Sequence, residues 1–154
     1  MAVELKYVVA PMEHSHLRAV MALERAVFTD DWPIEAFKEH LEEPSAGGLV
    51  VLTNDLLIGY ACYQMEKEHL HLTNLAVAPE YRRKSVAKGV LDHILGLARQ
   101  QACELIYLEV RLSNEAARNF YRNAGFVEID IVADYYESPA EDAVVMLARV
   151  DTEG

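Results

Sequence analysis

The sequence predicts a mixed α/β fold: a central, mostly antiparallel sheet with about four helices packed on it. Three observations predict it. Strand-like apolar runs follow one another so closely between residues 49 and 77 that no crossover helix fits between them, so they must pair antiparallel. From residue 86 onward, helical and strand-like segments alternate, which puts helices against a sheet that is no longer purely antiparallel. Hydrophobic residues make up 52% and charged residues 25% of 154 residues, enough for a real core within one soluble domain. No repeat, low-complexity run or linker divides the chain, so a single domain over 1–154 is expected.

Taken in order, Leu5 to Val9 reads as a short strand closed by Pro11. Between His14 and Ala26, Leu17, Val20, Met21 and Leu23 share a helical face, which Val27 continues. Asp31 with Pro33 just beyond it marks a helix start for Pro33 to Glu42. Pro44 to Gly48 is a loop. Leu49 to Thr53 and Leu56 to Met65 are strands across a short turn at Asn54-Asp55, and Leu70 to Val77 is a third. Pro79 to Arg83 is a polar loop. A long helix to about Gln101 follows, with Val86, Val90, Ile94, Leu97 and Ala98 at helical spacing. Leu105 to Val110 is a strand, Asn114 to Ala124 a helix stopped by Gly125, and Phe126 to Val132 and Ala143 to Val150 are the last strands.

The charge balance excludes several function classes. Lys and Arg number 14 against 25 Asp and Glu, a formal net charge of −11. Broad binding to nucleic acid or to an anionic membrane needs a basic face, so neither is expected as a partner. The most apolar stretch, Gly48 to Cys62, is broken by Thr53, Asn54 and Asp55 and falls short of the roughly 18 apolar residues of a membrane span. Met1 to Lys6 lacks the basic start and apolar run of a signal peptide. Cys62 and Cys103 both sit in apolar segments, so reduced thiols and a cytoplasmic location are expected.

One segment departs from the acidic background. Residues 82 to 88 read Arg82-Arg83-Lys84-Ser85-Val86-Ala87-Lys88, which places four of the chain's 14 basic residues in one short stretch before the long helix. A helix N-terminus offers unpaired N–H groups and partial positive charge, and small residues at 85 and 87 allow close approach to the backbone. Those features suit a pyrophosphate; a solvated helix start gives the same pattern.

With its flanks, Leu75-Ala76-Val77-Ala78-Pro79-Glu80-Tyr81 and then 82–87, the segment resembles the acetyl-coenzyme A loop of the GCN5-related N-acetyltransferases. In that family's Gln/Arg-x-x-Gly-x-Gly/Ala motif, Arg82 fills the first position and Ala87 the last, while Ser85 stands where glycine is expected. The resemblance extends to Leu108-Glu109-Val110-Arg111-Leu112-Ser113-Asn114-Glu115-Ala116-Ala117, to Phe120–Phe126, to Asp134-Tyr135-Tyr136 and the 141–146 string, and to Leu23–Phe28 with Asp31-Trp32-Pro33 and Phe37. It covers most of the chain and is closest to the RimI-like ribosomal-protein-alanine N-acetyltransferases and related Nα-acetyltransferases.

The resemblance implies the acyl-CoA N-acyltransferase fold, acetyl-CoA as co-substrate, and a protein or peptide N-terminus as acceptor, with the N-terminal alanine of a ribosomal protein as the family's example. It also implies an inventory of roles. Leu75, Ala76 and Val77 would pair with the pantetheine arm where the 70–77 and 105–110 strands splay apart, and the Val77 N–H would polarise the thioester carbonyl. Arg82, Arg83, Lys84, Ser85, Val86, Ala87 and Lys88 would hold the pyrophosphate. Asn114 would contact pantetheine; as a helix N-cap it has a second role. Glu109 would be the base and Tyr121 the acid for the departing thiolate. Glu24, Trp32, Tyr135 and Tyr136 would line the peptide.

The residues themselves leave alternatives beside each role. Glu109 lies on a strand face with Leu105 and Tyr107, opposite Ile106, Leu108 and Val110; a partly buried carboxylate there makes a good base, and the rival readings are an ordinary exposed strand glutamate or one paired with Arg111 on the same face. Tyr121 keeps its proton at pH 7, as a catalytic acid or as a core tyrosine beside Phe120. Trp32 before Pro33 fits a helix-start staple. His69 and His71 share a strand face with no third ligand in view, so they are read as surface histidines and no metal is expected. His14, His16, His40 and His93 have no informative spacing, and no Ser–His–Asp or Cys–His nucleophile is evident. Two rival functions stay open: acetylation of lysine or a small amine, and a non-catalytic acyl-CoA binding or sensing module.

Overall fold

Asn54 and Asp55 have φ of 49° and 66°, both left-handed, as a two-residue turn between right-twisting strands requires. On either side run β2 (Ala46–Thr53) and β3 (Leu56–Glu66). The computed structural model describes residues 5–82 and 85–150. The other elements are β1 (Val8–Pro11), α1 (Leu17–Val27), α2 (Ile34–Glu42), β4 (His69–Val77), α3 (Val86–Gln100), β5 (Leu105–Arg111), α4 (Glu115–Asn123), β6 (Val127–Glu137) and β7 (Ala140–Arg149). Single 3-10 turns cover His14–His16 and Pro79–Tyr81.

The seven strands form one sheet in the order β1-β2-β3-β4-β5-β7-β6. β4 and β5 are parallel, with His69, Leu70 and His71 opposite Leu105, Ile106 and Tyr107. The helix α3 between them supplies the crossover that a parallel pair needs. β5 is antiparallel to β7 from Leu105↔Arg149 to Arg111↔Ala143, and β6 is antiparallel to β7 with register shifts between Glu128 and Asp130 and between Val132 and Tyr136. The mixed, mostly antiparallel sheet with four α-helices is the fold read from the sequence.

Several boundaries are corrected. β1 begins later than Leu5–Val9 and contains Pro11, which sits opposite Leu49; as an edge strand, β1 has one side where a missing N–H costs nothing. α2 starts at Ile34, one residue later than expected, with Pro33 as its cap and no side-chain bond there, while Asp31 faces Arg25 at 3.9 Å. Trp32, just before that cap, packs on Phe37 with ring centroids 5.1 Å apart, forming the staple between N′ and N4. β6 runs five residues past Val132, to Glu137. Gly125, at φ 101°, follows α4 as expected.

The chain divides into two compact units: the N-terminal part through Tyr63 with Asn74–His93, and Gln64–Thr73 with the chain from Ile94 onward. The first is built on a core of Met12, Leu17, Val20, Phe37, Val50, Tyr60 and Ala76 with their neighbours. In the second, Ile94, Ala98, Ile106, Leu108, Val144 and Met146 are all buried. No helix among the described residues is long and apolar enough to cross a membrane, and none of their His, Cys, Asp and Glu groupings suits a metal. Cys62 and Cys103 are buried free thiols, and burial pushes both above the ordinary thiol range.

Candidate active site

In the second unit the site grows from β5. Its alternation buries Ile106, Leu108 and Val110 and leaves Leu105, Tyr107, Glu109 and Arg111 on the half-buried face. The parallel register sets His71 opposite Tyr107, on the same face. The two rings stack, 4.3 Å between centroids and 6° from coplanar, and His71 Nε2 lies 2.8 Å from Glu109 Oε1. The Tyr135 hydroxyl donates to the same Glu109 oxygen at 3.4 Å. The Tyr107 hydroxyl donates to Glu66 Oε1 at 2.6 Å, and Glu66 Oε2 stands 3.6 Å from His71 Nδ1. His71 and Glu109 expose only 18% and 15% of their side chains, so this is a sheltered hydrogen-bonded cluster.

One sequence reading is corrected here. His71 is not a surface histidine but the direct partner of Glu109. Arg111 has partners at the β6–β7 turn. Its guanidinium reaches Glu141 at 3.1 Å, the Pro139 carbonyl at 2.9 Å and the Ser138 carbonyl at 3.3 Å, and it lies 4.3 Å over the Tyr136 ring. Arg111 thereby ties the end of β5 to the β6–β7 turn and holds Tyr136, which meets Tyr135 edge-on at 4.9 Å.

Tyr121 lies on the apolar face of α4, buried between Phe120 and Phe126. Burial, reinforced by nearby Tyr136, raises its phenol above the ordinary tyrosine value. Burial also raises Tyr135 and Tyr136, helped by the Glu109 charge, and Tyr136 further by Tyr135, against the opposing pull of Arg111. Tyr107 is raised by burial and by Glu66. All four phenols are therefore proton donors at neutral pH. Asn114 caps α4, its side-chain oxygen accepting the Ala117 N–H at 3.1 Å.

The first unit carries the segment expected to meet the co-substrate. Ala76 and Val77 are buried at the end of β4, and Leu75 is half-buried. The Ala78 N–H donates to the Ile58 carbonyl at 2.8 Å, and Arg82 Nε donates to the Val77 carbonyl at 3.2 Å, fixing the turn that leaves the strand. Ser85 has φ 63°, the left-handed conformation that favours glycine. Its carbonyl accepts the Gly89 N–H at 3.0 Å, the first helical bond of α3. The N–H groups of Val86, Ala87 and Lys88 precede it and have no intrahelical acceptor. A glycine-like turn opening a long helix, with Arg82 beside it and Lys88 on the first turn, fits an anionic pyrophosphate. Arg83 and Lys84 lie outside the described residues.

Glu24 and Trp32 also belong to the first unit. Glu24 is 1% exposed, and its oxygens accept from the Tyr60 hydroxyl, from the Trp32 N–H at 2.9 Å and from Asn74 Nδ2 at 3.4 Å. The carboxylate faces inward and ties α1 to the entry of α2 and to β3 and β4. The Trp32 ring lies against Phe37 and His40.

Sequence reasoning missed His71 and Glu66. For His71 the signal was present, since the alternation of β4 and β5 fixes which residues share a face. What was lacking was the register across a helical crossover, which alone brings His71 to Tyr107 and Glu109.

Comparison with known proteins agrees with this fold. Residues 17–126 match the Acetyltransferase (GNAT) family. A Bacillus subtilis (strain 168) protein named as a candidate [ribosomal protein bS18]-alanine N-acetyltransferase is 30% identical over 147 residues, 95% of this chain and 97% of that one. An N-alpha-acetyltransferase of Sulfurisphaera tokodaii is 28% identical over 142 residues, 84% of each chain. The crystal structure of the ribosomal-protein-S18-alanine N-acetyltransferase from Escherichia coli superposes with a TM-score of 0.88 at 25% identity, covering 97% of both chains. With this coverage, the chain belongs to the Acetyltransferase (GNAT) family and is an acetyl-CoA-dependent N-acetyltransferase.

Proposed function

We propose that the chain, taken over residues 1–154 as one catalytic domain, acetylates the α-amine of a protein or peptide N-terminus, with the N-terminal alanine of a ribosomal protein as the first acceptor to test. The observation that carries this reading is the sheltered Glu109 carboxylate, bonded by His71 at 2.8 Å and bordered by Tyr135. An α-ammonium has a pKa of about 8, so one partly buried carboxylate suffices to take its proton at neutral pH, whereas a lysine near ~10.4 demands more. The relatives named as N-alpha- and alanine N-acetyltransferases support the same acceptor class. With free thiols at Cys62 and Cys103, the reading is of a cytoplasmic enzyme.

The roles follow from the chemistry of each group. Acetyl-CoA supplies the activated acetyl group. Arg82, Ser85, Val86, Ala87 and Lys88, with Arg83 and Lys84, are the residues assigned to its phosphates; Leu75, Ala76 and Asn114 are assigned to the pantetheine arm. The Val77 N–H is the donor assigned to the thioester carbonyl. Glu109 takes the proton from the incoming ammonium at a carboxylate oxygen. Tyr121 keeps a proton on its hydroxyl for the leaving thiol, and its raised value ensures that the proton is there. Tyr136, held by Arg111, and Tyr135 beside it are assigned to the peptide. Glu24, turned inward, and Trp32, stapled on Phe37, shape the α1–α2 connection beside which the first residues of the peptide are proposed to lie.

The test is release of coenzyme A thiol over a panel of short peptides differing in the first residue. Turnover requiring a free N-terminus supports the reading. Equal turnover on an N-blocked, lysine-containing peptide contradicts it, and tight acetyl-CoA binding without turnover on any amine marks a sensor instead.

A further inference from the structure

Beside the half-buried face of β4 and β5 stands a carboxylate of β3 that the reaction above does not use. We propose that Glu66, at the end of β3, is a positioning residue for the base, acting through His71: it controls whether that ring carries one proton or two, and so how freely Glu109 accepts one. The proposal rests on the reading of Glu109 as the base and deepens it.

The argument is geometric. A nitrogen and a carboxylate oxygen 2.8 Å apart, as in His71 Nε2 and Glu109 Oε1, must have a proton between them. That leaves Nδ1 as the nitrogen that gains or loses the second proton, and Nδ1 faces Glu66 Oε2 at 3.6 Å. Glu66 is held there: its other oxygen accepts the Tyr107 hydroxyl at 2.6 Å, and the Tyr107 ring stacks flat on His71. The ring thus lies between two carboxylates and on a tyrosine. The groups facing it are Glu66 from β3 and Tyr107 and Glu109 from β5, while Tyr135 from β6 reaches Glu109. The side chain of Glu66 is 41% exposed, so a proton on Nδ1 exchanges with solvent on that side.

The consequence runs through charge. With two protons the ring is an imidazolium, its charge neutralises that of Glu109, and the carboxylate is a poorer acceptor. When Nδ1 loses its proton to water, the ring is neutral and no longer offsets the Glu109 charge. Glu66 stabilises the imidazolium, so it sets the pH above which the base is free.

The test uses Glu66→Gln, which keeps the shape and removes the charge, and Glu66→Asp, which restores the charge. In Glu66→Gln the acid limb of the pH profile of kcat/KM moves to lower pH, by about one unit; in Glu66→Asp it moves back toward the parent. The ring-nitrogen NMR signals of His71, followed against pH without substrate, shift in the same direction. An acid limb and a His71 titration both unchanged in folded Glu66→Gln overturn the proposal. If no amine is acetylated, the acceptor reading fails while the NMR titration still decides the coupling of Glu66 to His71. If free N-terminal peptides are acetylated and the limb ignores residue 66, the proposal alone fails.

Discussion

Ser85 is where a single residue type matters most. At φ 63° a serine pays the steric conflict between Cβ and backbone that a glycine avoids, about 1 kcal/mol. Replacement by glycine is expected to stabilise the protein by up to that amount and to preserve or tighten acetyl-CoA binding, read by thermal melting and by calorimetric titration. A large loss of binding would show instead that the serine hydroxyl itself holds phosphate. The departure from the glycine motif was legible in the sequence, but its physical meaning was not, because φ is not written in a residue name. Glu109 shows the reverse case: its place opposite Ile106, Leu108 and Val110 followed from alternation alone. Replacing it by glutamine is expected to lower kcat by roughly 100-fold or more, with little change in acetyl-CoA binding. The phenol of Tyr121 gives a further check at this scale. Its value is raised, so its proton is lost only above the ordinary ~10 of tyrosine, and no alkaline fall in rate from this group is expected below that pH.

At the scale of elements, α4 depends on its cap. Asn114 accepts the Ala117 N–H, and Asn114→Ala is expected to cost about 1 kcal/mol, measured as a lower urea midpoint, while Asn114→Asp retains most of it. Equal midpoints for parent and alanine variant would show that the cap contributes nothing. Helix periods, the Asn54-Asp55 hairpin, the staple at Trp32 and the stop at Gly125 were all legible, since each is set by contacts within a few residues. The bounds of β1 and β6 were not. Pro11 reads as a strand breaker until the strand is known to lie at an edge, and β6 continues past Val132 only because β7 is there to pair with Tyr136 and Glu137. Long-range pairing also explains why His71 was misread: a parallel register is set by the packing of α3, not by residues 69–77.

For the whole molecule, the formal charge of −11 has two consequences. Basic acceptor peptides should be drawn in at range, so their KM is expected to rise with salt, an effect weaker for neutral peptides. Acid stability is set by particular carboxylates. Hydrogen bonds from Arg118 and Arg122 hold Glu128 below the ordinary value near 4.5, and those from Ser113 and Arg111 do the same for Glu141. A lowered folded-state value means the contribution is fully present above the unfolded value. It is lost as pH falls through the folded one. The melting temperature is therefore expected to fall as pH drops below about 4.5, and less steeply in Glu128→Gln than in the parent.

The central claim is that this site acetylates an α-amine. One peptide with a free N-terminal alanine and an internal lysine tests it most directly, incubated with the enzyme and acetyl-CoA and then sequenced by tandem mass spectrometry. Acetyl on the α-nitrogen, lost in Glu109→Gln, is the predicted result; acetyl on the lysine side chain, or on neither amine, contradicts the account.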